Sequence, residues 1–253
     1  MKAGRKNKVV GCLFGWGRRF SFPCAVILVV AVLVVTLSEK HLPAGINWGL
    51  MATGMMGGLL ALWYWGFEQG GAAAREIAVI AVLGTVAAVG RIPFAALPNI
   101  QPTTFIVIVS GFVFGPRAGF VVGSTAAVVA NFFLGHGPWT PWQMFTWGLS
   151  GATAGLLGAV FPRIGPWGLA VFSFLWGYLY GWIMNLWFWT AFIHPLNLQS
   201  FIATYAASFW FDTCHAVGNL FFYLLLGPGV IRVLRRYHRR LTVEYLVPPA
   251  GGN

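Results

Sequence analysis

Acidic side chains are nearly missing from this sequence: 253 residues hold five Asp and Glu against sixteen Lys and Arg. Paired-carboxylate catalysis, a proton relay of several steps and an oxygen-rich metal cage all need more acids than that. The three cysteines, Cys12, Cys24 and Cys214, share no CxxC spacing and fall in or beside apolar runs, so neither a disulfide framework nor a zinc site follows. No GxxxxGKS/T occurs, so the chain does not itself hydrolyse ATP through a P-loop, and HExxH and GxSxG are absent too. The motifs assign no catalytic residue, no metal and no cofactor. Charged residues make up 8%, where soluble domains carry about a quarter.

Apolar residues fill the space that charge leaves. The chain is 58% hydrophobic with 13 Trp and 22 Phe, and its mean hydropathy is +0.75. The expected fold is all-α, a polytopic membrane helical bundle. Apolar runs predict helices over 20–38, 47–66, 73–90, 103–115, 117–134, 142–161, 167–192 and 201–227. Gly-Pro signals such as "FGPRAG", "GHGPWTPW", "FPRIGPW" and "GPG" separate them, because proline lacks a donor and restricts the residue before it. The first run lacks a small-x-small cleavage pattern and reads as a retained helix.

The net charge of +11 comes mainly from the two ends, "MKAGRKNK" and "RVLRRYHRR", and calls for a topological reading rather than a nucleic-acid one. With both termini cytoplasmic, every basic residue except Lys40 and Arg91 falls inside. The organisation expected is a basic N-terminus with two additional helices over 1–70, a six-helix core over 71–228, and a basic amphipathic tail over 229–253. In the tail, apolar residues at 230, 234, 237, 241 and 245 suit the lipid bilayer's inner leaflet.

Polar groups inside a bilayer are costly, so their positions carry information. Asn131 ends its helix on the outer side, His136, Trp139 and Trp142 follow in "NFFLGHGPWTPWQM", and Gln143 begins the next. Tyr178, Trp182, Asn185 and Trp189 recur at i, i+4, i+7 and i+11, one helical face. Tyr205, Ser208, Asp212, His215 and Asn219 form a second stripe. Taken singly, such residues are interhelical glue or interfacial aromatics. Jointly they describe one outward-facing pocket with aromatic walls and a few orienting polar groups. Asp212 is the one acid within the interior of an apolar run; His215 is one turn away, and Arg91 reaches it if the outer loop folds inward. That loop, "GRIPFAALPNIQPTT", reads either as a plain connector or as a stiff roof presenting Asn99, Gln101 and Thr103 to a ligand. Small residues at Ala74, Ala78, Gly84 and Ala88, and at Gly148, Gly151, Gly155 and Gly158, suit close helix packing or contact with another membrane subunit.

From Ala73 onward the chain resembles the substrate-binding S components of energy-coupling factor (ECF) vitamin transporters. The likeness rests on "RIPFAALPNIQPTTF", on "VSGFVFGPRAGFVVGSTAAVVANFFLGHGPWTPWQM", on "GLSGATAGLLG" and on Ala74-x-x-x-Ala78. It implies capture of a vitamin from outside, with an ECF transmembrane coupling subunit meeting Ala74 and Ala78 and two cytoplasmic ATPase subunits supplying energy. The "PNIQP" and "GHGPWT" loops look similar to cobalamin-type S components, in which case one of His136, His194 or His215 approaches cobalt or serves only as a hydrogen-bonding residue; smaller vitamins or nucleobase-like precursors also suit the residues. The implied localisation is a bacterial cell membrane. Alternatives are a stand-alone transporter, a scaffold without a ligand, and an intramembrane enzyme using Asp212 and His215.

Overall fold

The computed structural model describes residues 47–68 and 74–241. The predicted helix over 20–38, the basic N-terminus and the last residues of the tail lie outside that range. Among the described residues there are helices and turns and no strands. The helices are α1 (Trp48–Glu68), α2 (Ala74–Arg91), α3 (Thr103–Phe114), α4 (Pro116–Leu134), α5 (Thr140–Val160), α6 (Pro166–Phe192) and α7 (Leu198–Leu241), with a single 3-10 turn at Ile92–Phe94. Among the described residues, four segments are long and apolar enough to cross a membrane: Ala74–Phe94, Pro116–Leu134, Pro166–Phe192 and Leu198–Arg240.

α3 has twelve residues and is about 18 Å long, short of the roughly 30 Å hydrocarbon layer. Nine of its residues are buried, so it is a central strut rather than a lipid-facing span. The chain from 95 to 102 leads to it as irregular backbone, exposed over 95–98 and buried at Gln101 and Pro102. A single residue, Gly115 at φ +93°, turns α3 into α4, a conformation that a side chain at that position would strain.

Glycine lets the centre close. α3, α4 and α5 meet where Gly111, Gly119 and Gly151 face one another, and a Cβ on Gly151 would strike the backbone of Gly119. Gly148, Gly155 and Gly158 are likewise filled from across the interface, so the small face of α5 is spent on internal packing. The stripe on α2 divides: Gly84 and Ala88 are buried, Gly84 against Thr125, whereas Ala74 and Ala78 are exposed. α6 and α7 approach through Gly177 and Gly181, which lie against Ala216 and Asp212. α1 packs mainly on α5 and α6, with Trp63 stacked on Phe120 at 4.0 Å and Trp142 donating to Thr53 at 3.3 Å.

The break expected at Pro228 is not a break. α7 runs through it to Leu241, because Ile231 and Leu234 beyond the proline pack into the cluster that holds Phe105, Ile108 and Phe222. The basic tail and the last core helix are one element as far as residue 241.

Gly151→Val would force the α4–α5 contact apart and destabilise the bundle by about 3 kcal/mol. Gly58→Ala on α1, whose Cβ meets nothing within 4 Å, is the control. Thermal unfolding in detergent should separate the two sharply, with the control no less stable than the parent.

Candidate ligand-binding site

Part of the polar set singled out in the sequence lies toward the end of the bundle that carries the 92–102 hairpin and the 135–139 and 193–197 loops. The set forms two groups. The first is an internal network. Arg91, the last residue of α2, points into the bundle: its Nη1 donates to Asn131 Oδ1 at 3.1 Å and its guanidinium lies 5.1 Å from the Trp147 ring centre. Asn131 Nδ2 donates to Gln143 Oε1 at 2.8 Å and to Thr140 Oγ1 at 3.0 Å. A half-buried cation is thus shared between an amide oxygen and an aromatic face.

From Trp147 a chain of hydrogen bonds runs to the hairpin. Trp147 Nε1 donates to Thr104 Oγ1 at 2.9 Å, and Thr104 pairs with His215 Nε2 at 2.9 Å. His215 Nδ1 donates to the Asn99 carbonyl at 2.8 Å. Because a carbonyl only accepts, the ring proton belongs on Nδ1; Nε2 then takes the Thr104 proton and every group is satisfied. Asn99, at φ +58°, also sends its Nδ2 to the Phe211 carbonyl at 3.3 Å. The hairpin is therefore bolted to α7. Its polar side chains are not displayed as expected: Gln101 and Thr103 are buried, and Thr103 donates to the Ala87 carbonyl at 3.1 Å, joining α3 to α2.

The second group is on α6 and α7. Asn185 Nδ2 donates to Ser208 Oγ at 2.6 Å and to Asp212 Oδ2 at 2.9 Å, and Ser208 Oγ lies 2.9 Å from the same carboxylate oxygen. Asp212 is 2% exposed and fits there because Gly181 leaves room for it. Its partners are Asn185 and Ser208; Arg91 Nη1 instead meets Asn131, and both His215 nitrogens meet Thr104 and the Asn99 carbonyl. An Asp212–His215 catalytic pair is accordingly not assembled. Above this triad opens a groove of ≈ 510 Å³ between α6 and α7, with Asn185, Ser208, Ser200 and Thr204 among its polar lining and Phe188, Ile193 and Phe211 among its apolar walls.

The remaining expected residues are dispersed by the helical twist. Trp189 is buried and donates to Ser200 Oγ at 2.9 Å. Tyr205 donates to the Trp182 carbonyl at 2.8 Å, and Tyr178 pairs with Thr213 at 2.9 Å. Trp182 is half exposed and faces outward, as does His136, whose ring meets Phe132 edge-on at 4.8 Å. Trp139 caps α5 against Trp187, and Trp142 faces α1. Asn219 is buried with neither amide atom bonded among the described residues. Among those residues no group of three His, Cys, Asp or Glu is placed to hold a metal. Sequence reasoning overlooked Thr104, Trp147, Ser200 and Thr204. The first two sit one helical turn or one residue from positions that were named, and Gly177-x-x-x-Gly181 was a readable sign of the α6–α7 contact.

Among the described residues, seven helices with apolar membrane-length spans, a buried polar network and a groove between α6 and α7 define the class: a helical membrane protein. The sequence model "ECF transporter, substrate-specific component" matches residues 75–232, more than half of the chain, and the chain belongs to that family. It is also similar to the UPF0397 protein of Vibrio atlanticus and to those of two strains of Aliivibrio fischeri, each 27% identical over 96 residues, 36% of this chain and 50% of the relative. The chain thus spans about half the length of the curated relatives it matches. No solved structure matches it significantly. The family is one of transporter components.

His215→Ala would strip the Asn99 carbonyl and Thr104 of their partner, at a cost of about 1–3 kcal/mol. Hydrogen exchange over 92–102 should then quicken selectively, while exchange in α4 and α5 stays near the parent level.

Proposed function

We propose that the chain captures a vitamin-type small molecule in the groove between α6 and α7, entering from the extracellular side of a bacterial cell membrane with both termini cytoplasmic. It then hands the ligand inward in company with an ECF coupling subunit and two ATPases. The observation that carries this reading is the Asn185–Ser208–Asp212 triad beneath an aromatic-walled groove at the end of the bundle held by the hairpin. Apolar walls with a few fixed polar groups are the usual build of a small-molecule site, and about 300–1,000 Å³ is its usual size. The groove, at ≈ 510 Å³, suits a heterocyclic vitamin or precursor. A corrinoid, which the "PNIQP" and "GHGPWT" loops suggested, would leave much of its macrocycle outside that volume.

Distribution of charge supports the orientation, since the α7 extension carries Arg232, Arg235, Arg236, Arg239 and Arg240 at the end opposite the groove. The exposure of Ala74 and Ala78 supports their role as the coupling face, for these small residues let a neighbouring helix approach closely.

Two variants separate capture from coupling. Asp212→Asn should weaken ligand binding by about tenfold, or about 1.4 kcal/mol, without unfolding the protein. Ala78→Trp should keep parent-level binding yet abolish uptake in cells supplying the coupling subunit and ATPases. Unchanged affinity in the first or unchanged uptake in the second contradicts the respective assignment.

A further inference from the structure

The groove is chemically one-sided. Asn185 carries two amide hydrogens, and both are spent, on Ser208 Oγ and on Asp212 Oδ2. Turning the amide over would set its oxygen against the carboxylate, so Asp212 fixes the orientation in which only Oδ1 is left for a ligand. Ser208 gives its single proton to Asp212 or to the Tyr205 carbonyl, 3.1 Å away. Ser200 lies 2.7 Å from the Pro195 carbonyl, to which it donates, while it accepts from Trp189 Nε1 and the Asn197 amide. Thr204 donates to the Ser200 carbonyl at 2.8 Å. No hydroxyl or side-chain amide hydrogen on the groove lining remains free, and no Lys, Arg or His is among the lining residues. What faces the ligand is lone pairs, with Asp212 behind them.

We propose that the groove selects nitrogen heterocycles that bring their own N–H donors, neutral or cationic, and turns away carboxylate- and phosphate-bearing vitamins. An anion placed there would lose its hydration and find no donor in return, whereas an N–H group finds Asn185 Oδ1 and the Thr204 oxygen. This selectivity rests on the capture reading above and adds the chemical class of what is captured.

The test is thermal stabilisation of the full chain, purified in detergent, by two sets of compounds. One set presents N–H donors: thiamine, adenine, guanine, pyridoxamine and nicotinamide. The other presents anions: biotin, pantothenate, nicotinate and pyridoxal phosphate. At least one member of the first set should stabilise the protein and none of the second. Affinity for that member should fall about tenfold in Asn185→Leu and again in the near-isosteric Thr204→Val, which keeps the assay informative if the first variant folds poorly. Stabilisation by an anionic vitamin that is lost in Thr204→Val overturns the selectivity and leaves capture in this groove standing. Stabilisation by neither set overturns both.

Discussion

A hydrogen-bonding group buried in hydrocarbon must find its partner inside the protein, and this one requirement organises the chain's polar residues. Arg91 and Asp212 show how such charges are answered individually. Arg91 is met by an amide oxygen and an indole face, Asp212 by an amide and a hydroxyl. Irregular backbone obeys the same rule: the 92–102 hairpin survives at the bundle's end because its Asn99 carbonyl is met by His215 and its Asn99 amide by a carbonyl of α7. The network around Arg91 is continuous through Trp147 and Thr104 with the one that anchors the hairpin, so the hairpin and the core are parts of one polar structure.

Small residues do complementary work. Where Gly119 faces Gly151, backbones touch and the centre closes without side chains; where Gly181 faces Asp212, the missing side chain makes space for a carboxylate. The same residue class therefore packs the centre of the bundle and positions the triad beneath the groove. Ala74 and Ala78 differ from all of these because nothing among the described residues covers them.

Most helix limits were legible in the sequence because proline and glycine mark them by steric means: α4 starts at Pro116, α6 at Pro166, and both predicted limits lie within a residue of the observed ones. Pro228 misled for the converse reason. A proline inside a helix removes one backbone bond, but apolar side chains on both sides of it still find the core, and packing outweighs the local penalty. The stripes on α6 and α7 were legible as polar faces, yet their division into a sealed network and an open groove was not. That division depends on which neighbour each side chain meets, and a shift of one residue decides it: Thr103 turns to α2 and Thr104 to His215. Periodicity reports a face; it does not report what stands opposite.

The most direct measurement is native mass spectrometry of the full chain released from detergent without added ligand. The account predicts one small, nitrogen-rich molecule retained at a single copy per chain and lost when the groove is filled by Ala207→Trp. Retention of that molecule by the groove-filled variant, or its binding at the opposite, arginine-bearing end of α7, would contradict it.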